Sequence, residues 1–261
     1  MKIDLPASVL VPDWQLPISP RVRALHTTRT QGFSQAPFDD GKGGGGLNLA
    51  THVGDAPDAV LRNRAVLQNY LPSAPIWLNQ VHGAQVFDAT QFSNGAQAPD
   101  ADASFTNVAK LVCCVMTADC LPVLLCDAAG QCVAAAHAGW RGLAAGVLQN
   151  TIQAMRERGA QEIYAWLGPA IGPKAFEVGA EVRQVFVDKL GLAADAAFIA
   201  VGDKYLADIY QLARLALAQV GVVQVAGGEE CSFNQPEQYY SYRRQARTGR
   251  MAAMIWLQDK D

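Results

Sequence analysis

The sequence predicts an α/β (α+β) fold in one domain, and three features of the chain support this prediction. Short apolar runs at 111–117, 121–126 and 132–137 have the length and continuity of buried β-strands. Apolar residues recur at helical spacing later in the chain, most clearly over 205–221. Because no internal repeat or linker divides the sequence, we expect a single domain over 1–261.

The individual elements follow from the same patterns. Residues 1–24 are rich in proline and are expected to form an N-terminal arm over the domain. A helix is expected over 58–71, because apolar residues recur at helical spacing there and Pro72 ends it. The remaining expected elements are helices over 143–158, 179–190 and 205–221 and strands over 163–168, 222–226 and 251–257.

The composition narrows the class of protein. Half of the 261 residues are hydrophobic and 17% are charged, which is typical of a globular protein with a sizeable core. The formal net charge of -3 argues against a nucleic-acid or anionic-membrane binder, so neither is expected as a partner. No apolar stretch is long enough to span a membrane, and the N-terminus lacks the features of a secretory signal. A cytoplasmic location is therefore expected.

The cysteines and histidines limit the metal chemistry that the chain can support. Six cysteines are too sparse for a disulfide scaffold, and no CxxC pair is present. Most of them lie in apolar surroundings and are expected to be small buried side chains. The chain has only four histidines, whereas a multicopper cluster surrounds several ions mainly with imidazole. A laccase-type copper cluster within one chain is therefore not expected.

One predicted hairpin brings a thiol and an imidazole together. The turn signal at 127–130 separates two apolar strands. A two-residue loop would place Cys120 directly opposite His137, with Cα atoms about 4.5 to 5.5 Å apart. A bulge at Gly130 would shift this pairing by one residue and leave His137 diagonal to Cys120.

A third residue, His82, is expected to complete this site. Histidine and cysteine are ligands of catalytic zinc, for which three protein ligands leave one position open. The same residues also fit nucleophilic catalysis, with Cys120 as the thiolate and a histidine as the base. His82, Cys120 and His137 are therefore the expected catalytic and metal-binding residues, and the two chemistries remain open on these grounds.

Two basic segments are candidates for binding an anion. Arg141 follows His137 at the expected start of a helix, where a phosphate could bind beside the metal. An exposed arginine at a helix start explains the local sequence equally well. A second basic run at 241–250 combines arginines with nearby tyrosines and could hold a sugar phosphate or a base. Such runs are more often solvated edges.

Several motifs, in order along the chain, resemble those of the laccase-domain or YfiH-like family. They are HVGD (52–55), NQVHG (79–83), TADCLPVLL (117–125), HAGWRG (137–142), LGPAIGPKAFEVG (167–179), CSFN (231–234), YSYRR (240–244) and TGR (248–250). The resemblance implies mixed β-sheets packed between helices, as in the related cytotoxic-necrotising-factor-like fold. It places the metal and catalytic residues at His82, Cys120 and His137, and it places Asn48, His52 and Arg64 in the substrate pocket.

The resemblance also implies a set of activities. They are zinc-dependent phosphorolysis of purine nucleosides, including methylthioadenosine, and deamination of adenosine, so purine nucleosides and phosphate are the expected partners. The second hypothesis is a metal-free Cys-His hydrolase that acts in peptidoglycan editing, and the weakest is a copper-dependent polyphenol oxidase. Zinc is the expected cofactor, with copper as the alternative. The preferred nucleoside and the oligomeric state stay open.

Overall fold

Two mixed β-sheets, stacked face to face, form the centre of the protein in this computed structural model, which describes residues 6–93 and 95–259. The strands are β1 (Val9–Leu10), β2 (Val22–Thr27), β3 (Pro75–Ile76), β4 (Val86–Asp88), β5 (Ala103–Thr106), β6 (Val112–Thr117), β7 (Leu121–Asp127), β8 (Val133–Ala138), β9 (Ile163–Leu167), β10 (Glu177–Val178), β11 (Phe198–Val201), β12 (Lys204–Ala207), β13 (Val225–Gly227) and β14 (Met251–Leu257). The helices are α1 (Pro57–Gln68), α2 (Trp140–Ala145), α3 (Val147–Glu157), α4 (Ala180–Leu190) and α5 (Ile209–Gln219), with 3₁₀ turns at Ala89–Gln91 and Leu192–Ala197.

The strands form three sheets. One central sheet has the order β1-β2-β14-β6-β3, and the other has the order β13-β9-β7-β8-β5-β4. Both contain parallel and antiparallel pairs. A small antiparallel sheet of β10, β12 and β11 lies apart from them. The expected mixed α/β fold is confirmed.

The alternation of side chains along the strands builds the layers. In β7, Val123 and Leu125 pack in a cluster with residues of α3 and α5, whereas Leu124 packs with Val115 of β6 and Ile255 of β14 between the two sheets. All residues of β6, β7 and β8 are buried. A strand covered on both faces reads as a continuous apolar run, which is why the sequence reveals these three strands clearly.

Three of the expected helices and one strand differ from their observed bounds. The helix expected over 58–71 ends at Gln68, and the strand expected over 222–226 is β13, which begins at Val225. The helix expected over 143–158 begins at Trp140 and is broken into α2 and α3 at Gly146, which has a φ of 94°. The helix expected over 205–221 begins only at Ile209, because residues 204–207 pair as β12 between β10 and β11. The Asp208 side chain accepts hydrogen bonds from two helix N–H groups and marks this start.

The N-terminal segment follows one edge of the five-stranded sheet. Val9 and Leu10 pair with β2, and Trp14 packs into the cluster between the sheets. Residues 1–5 of the expected arm lie outside the described residues. Among the helices of 6–93 and 95–259, none has both the length and the apolar character that crossing a bilayer requires.

Candidate metal centre and substrate cavity

The hairpin that carries Cys120 and His137 has a longer loop than the sequence predicts, and its strand register is shifted accordingly. His137 is paired with Pro122, two residues away from the position opposite Cys120 that a two-residue loop would give. The loop is longer because the Asp127 carboxylate accepts the backbone N–H groups of Gln131 and Cys132, while Gly130 takes a φ of 66°. Both predicted registers are wrong.

The three expected residues nevertheless come together. A register shift of two residues keeps each side chain on the same face of the sheet, so Cys120 and His137 become diagonal neighbours. The ligand atoms of His82, Cys120 and His137 all lie within 4.8 Å of one another. Cys120 Sγ is 3.9 Å from His82 Nε2, and the centroids of the two imidazole rings are 4.8 Å apart.

Asp102 organises this group. It is fully buried immediately before β5, and one oxygen accepts the Nδ1 proton of His137 at 2.8 Å and the backbone N–H of His82 at 3.0 Å. The other oxygen accepts the N–H groups of Val81 and Gly83 at 3.2 and 2.6 Å. Because all four partners are donors, an ionised carboxylate fits here, and His137 is left with Nε2 as its free ring nitrogen.

A second side chain holds the loop that carries His82. The Gln80 side-chain amide donates a hydrogen bond to the Met116 carbonyl and accepts one from the Met116 N–H, both at 2.8 Å. These are the two hydrogen bonds that a neighbouring strand would form with this residue of β6. His82 itself has a φ of 60°, a conformation that is uncommon outside glycine. The contacts of Gln80 and Asp102 on either side offset the cost of this conformation.

The charges of the group are coupled. Burial raises the pKa of Cys120 and lowers the pKa of His137, but attraction between the two groups opposes both effects. The hydrogen bond that His137 donates to Asp102 raises the pKa of His137 further. The pKa of Cys120 falls to about 6 and that of His137 rises to about 9, so without a metal the two form a thiolate and an imidazolium at neutral pH.

Glycines beside the group allow the side chains to approach. A Cβ atom at position 139 would lie 2.8 Å from Cys120 Sγ and 3.4 Å from His82 Cδ2. A Cβ atom at position 142 would lie 2.7 Å from the Gly83 carbonyl. The HAGWRG segment therefore turns into α2 directly against the ligands because it lacks side chains at these two positions.

The group lies in the wall of a cavity of about 530 Å³, a size typical of sites for small organic molecules. The cavity contains a mixture of apolar, aromatic and charged side chains. Its lining residues are His52, Leu78, Asn79, Gln80, His82, Met116, Thr117, Ala118, Asp119, Cys120, His137, Trp140, Arg141, Ile171, Phe176, Ile209, Tyr242, Arg243 and Arg250.

The four expected substrate-binding residues fall into two pairs. His52 and Arg141 line the cavity. Asn48 is fully buried and does not line the cavity, and its side-chain amide forms hydrogen bonds with Asp55 and with the Ala50 backbone. Arg64 donates to the Leu49 carbonyl and its guanidinium lies 4.0 Å from the Trp77 ring centroid. The structure thus gives Asn48 and Arg64 contacts that shape the segment carrying His52, and their contact with substrate stays a prediction.

The basic run at 241–250 is divided between the cavity and the framework. Arg243 and Arg250 line the cavity, so this run is more than a solvated edge, although Arg243 is exposed. Arg244 donates to the carbonyls of Ser232, Phe233 and Tyr239 and ties the C-terminal segment together.

Asp119 fixes this segment beside Cys120. Its carboxylate accepts hydrogen bonds from the hydroxyls of Ser232 and Ser241 at 2.6 and 3.0 Å and from the Arg243 N–H at 2.6 Å. Asp119 also has a φ of 85°, so the backbone immediately before Cys120 turns sharply. The Asp119 carboxylate therefore connects the segment that carries Cys120 with the segments that carry Ser232 and Arg243.

The other cysteines and His26 lie away from this group. Cys113, Cys114, Cys126 and Cys132 are fully buried, and burial raises the pKa of each thiol, as expected for inert core residues. His26 is fully buried between Trp166 and Tyr239, with both ring centroids 6.1 Å away. Within residues 6–93 and 95–259, His82, Cys120 and His137 form the one group of three or more such residues placed to share a metal.

Comparison with known proteins places the chain in a family. A family model described as "Multi-copper polyphenol oxidoreductase laccase" matches residues 23–258. The chain belongs to this family. It is 52% identical over 253 residues to the Escherichia coli (strain K12) member named purine nucleoside phosphorylase YfiH, covering 96% of this chain and 99% of that protein. It is 45% identical over 252 residues to a Haemophilus influenzae protein named purine nucleoside phosphorylase, covering 95% and 98%.

Solved structures of similar proteins agree with this membership. The Neisseria meningitidis protein NMB0706 is 48% identical, with a TM-score of 0.87, and the match covers 97% of this chain and all of that one. YlmD from Geobacillus stearothermophilus is 30% identical with a TM-score of 0.84, covering 93% and 94%. The family resemblance seen in the motifs is confirmed.

Two residues of this family member's site, Asp102 and Asp119, escape the sequence analysis, and a third, Arg250, is included there only as one arginine of the basic run. Asp102 and Asp119 each precede a buried apolar segment, and this position of an acidic residue is the signal that could have identified them. Arg250 lies in the basic run but nothing local distinguishes it from Arg247. Both aspartates accept hydrogen bonds from backbone N–H groups as well as from distant side chains, and no local sequence motif indicates these contacts.

Proposed function

We propose that this protein is a zinc-dependent purine nucleoside phosphorylase with adenosine deaminase and methylthioadenosine phosphorylase activity. The observation that carries the proposal is the meeting of His82, Cys120 and His137 on the wall of a nucleoside-sized cavity. The names of relatives up to 52% identical support the choice of substrate, since they are purine nucleoside phosphorylases. Purine nucleosides and orthophosphate are the proposed substrates.

The donor set fits zinc. Two imidazole nitrogens and a thiolate are common zinc ligands, and three protein ligands leave a position for a reactant. His82 would bind through Nε2, which faces Cys120 Sγ, and His137 through Nε2, because its Nδ1 donates to Asp102. The carboxylate–histidine arrangement orients the ring and raises its basicity as a ligand. When bound, zinc supplies a Lewis acid that polarises an oxygen atom or acidifies water.

The proposed reactions share a purine nucleoside but break different bonds. In phosphorolysis, the bond between C1′ of the sugar and the base nitrogen breaks, a C1′–oxygen bond to phosphate forms, and the base leaves with a proton. In deamination, water replaces the exocyclic amine of adenosine and ammonia leaves. The apolar wall that includes Ile171, Phe176 and Ile209 offers a surface for the flat base, and the polar wall around Cys120 faces the reacting atoms.

Metal analysis with a phosphate-dependence assay tests this proposal. The wild type is expected to contain close to one zinc ion per chain and to release hypoxanthine from inosine only when phosphate is present. Cys120→Ala is expected to lose both properties. Cys231→Ala is the matched control, because Cys231 is a partly buried free cysteine outside the cavity lining. Equal zinc content in wild type and Cys120→Ala would contradict the proposal.

The hydrolase hypothesis keeps one observation in its favour. The ligand atoms of Cys120 and His137 lie within 4.8 Å of each other, and attraction to His137 lowers the pKa of Cys120, which is the arrangement of a thiolate nucleophile with a histidine partner. A hydrolase acting on peptidoglycan precursors would stay active after chelation and would be inactivated by alkylation of Cys120. Loss of activity on chelation and its return with zinc would support the phosphorylase instead.

Copper-dependent phenol oxidation is the third and weakest candidate. The family description names copper, but His26 is enclosed in the core and His52 is separate from the three-residue group. A multicopper centre needs more imidazoles than His82 and His137 provide. Phenol oxidation that depends on added copper in the purified protein would favour this candidate.

A further inference from the structure

The cavity has an excess of positive charge over its one carboxylate. Arg141, Arg243 and Arg250 line it, together with Asp119. That carboxylate already accepts three hydrogen bonds from Ser232, Ser241 and the Arg243 backbone. In the described part of the chain, none of these three arginines has a carboxylate partner within ion-pair distance.

Each cavity arginine instead lies near an aromatic ring that lines the same cavity. The guanidinium carbon of Arg141 is 4.4 Å from the ring centroid of its neighbour Trp140. The corresponding distances are 5.9 Å from Arg243 to Phe176 and 5.9 Å from Arg250 to Tyr242. An aromatic neighbour orients a guanidinium and leaves its hydrogen-bond donors available, so the positive charge is positioned without being neutralised.

Arg250 differs from the other two because it lies deeper. Arg141 and Arg243 are exposed at the rim, whereas Arg250 is half-buried. Its Nη1 donates to the carbonyls of Thr248 and Gly249, and its backbone N–H donates to Asn48. No acceptor for its Nε or Nη2 is found among residues 6–93 and 95–259.

A partly desolvated guanidinium that forms no ion pair with a carboxylate is costly, and an anionic ligand would offset that cost. A guanidinium with two free donors matches the geometry of a phosphate group, which it can bind through two parallel hydrogen bonds. Arg250 lines the same cavity as His82, Cys120 and His137, so an anion bound to Arg250 would share that cavity with the metal ligands.

We propose that Arg250, oriented by Tyr242, binds the orthophosphate that attacks the nucleoside. This assignment rests on the proposed function and deepens it, because it gives the second substrate a place beside the metal group. It differs from the expectation that a phosphate binds beside Arg141, and it narrows to Arg250 the expectation that the basic run at 241–250 binds a sugar phosphate or a base. The rim position of Arg141 and Arg243 suits a role in attracting anions to the cavity mouth.

Binding of orthophosphate alone, measured by calorimetry on the zinc-loaded protein, tests the assignment. Arg250→Met is expected to weaken phosphate binding by about tenfold or more, and Arg250→Lys, which keeps the charge without the planar group, by a smaller factor. Arg247→Met is the matched control. Arg247 belongs to the same segment and also lies over an aromatic ring, Phe38 at 5.6 Å, but outside the cavity lining.

Steady-state kinetics of the Arg250→Met variant distinguish a failure of this assignment from a failure of the proposed function. Arg250→Met is expected to raise the KM for phosphate by a similar factor and to leave the KM for inosine within about twofold. Phosphate binding without phosphorolysis in the wild type would remove the proposed function and keep the phosphate site. Phosphorolysis with an unchanged KM for phosphate in Arg250→Met would overturn the assignment and keep the proposed function.

Three further outcomes would also overturn the assignment. One is a larger loss of phosphate affinity in Arg141→Met than in Arg250→Met. Another is that the wild type binds adenosine monophosphate more tightly than adenosine but does not bind free phosphate, and that Arg250→Met loses this preference for the monophosphate. The guanidinium would then bind the phosphate group of a nucleotide. If circular dichroism shows that Arg250→Met does not fold, Arg250→Lys is measured in its place. The third outcome that would overturn the assignment is an unchanged phosphate affinity in Arg250→Lys.

Discussion

Replacing Asp102 with asparagine is expected to weaken the metal centre without changing the shape of the side chain. The carboxylate accepts four hydrogen bonds, two at each oxygen, from His137 Nδ1 and the backbone N–H groups of residues 81–83. An asparagine amide group donates hydrogen bonds, so two of the four donors would lose their acceptor whichever way the side chain is oriented.

The magnitude follows from the number and type of these bonds. A hydrogen bond to a charged group contributes about 1.5–3 kcal/mol, so the loss of two corresponds to a decrease of about 3–6 kcal/mol in the free energy of unfolding. Relaxation of the exposed His82 loop will favour the lower end. Groups that orient metal ligands typically change metal affinity by about 10–100-fold, and we expect Asp102→Asn to weaken zinc binding within this range.

Competition with a chromophoric chelator measures zinc affinity, and urea denaturation of the metal-free protein measures stability. Asp100→Asn is the matched control, because Asp100 is exposed in the same segment and bonds the Asn79 side chain rather than the metal group. Zinc affinity in Asp102→Asn within about twofold of the wild type would refute the reasoning, even if the protein were less stable, because orientation of His137 would then not depend on the carboxylate.

Three other changes test separate parts of the structure. Gly139→Ala places a methyl group 2.8 Å from the present position of Cys120 Sγ, so the thiol must rotate away. We expect this variant to bind zinc about tenfold more weakly while keeping a native circular dichroism spectrum. An unchanged zinc affinity would contradict this expectation. Burial lowers the pKa of His26 to about 3, so the unfolded state gains a proton below about pH 6.5 that the folded state does not accept until about pH 3. The free energy of unfolding should therefore fall by about 2 kcal/mol more between pH 7 and 5 in the wild type than in His26→Phe, measured by urea denaturation, and parallel pH curves would refute this. Zinc should protect Cys120 from iodoacetamide, as peptide mapping with and without chelator would reveal, and equal labelling in both states would argue against Cys120 as a ligand.

Much of the fold can be predicted from the sequence, because a strand that is buried on both faces appears as a continuous apolar run. β14 occupies 251–257 as expected, and β6, β7 and β8 agree with their expected spans to within about a residue at each end. The start of α5 is different. The apolar pattern of residues 205–207 fits a helix as well as a strand, and pairing with β10 and β11 decides the outcome.

The sequence by itself determined which side chains could bind a metal, since the chain has only four histidines and only Cys120 and Cys231 of its six cysteines lie outside the purely apolar runs. Only the tertiary structure decided how they meet. The hairpin register depends on the Asp127 carboxylate, and the orientation of His137 depends on Asp102, 35 residues away along the chain. The same holds for Arg250, which faces the cavity while Arg247 does not. Periodicity records whether a residue is buried, but not which distant donor or acceptor it meets there.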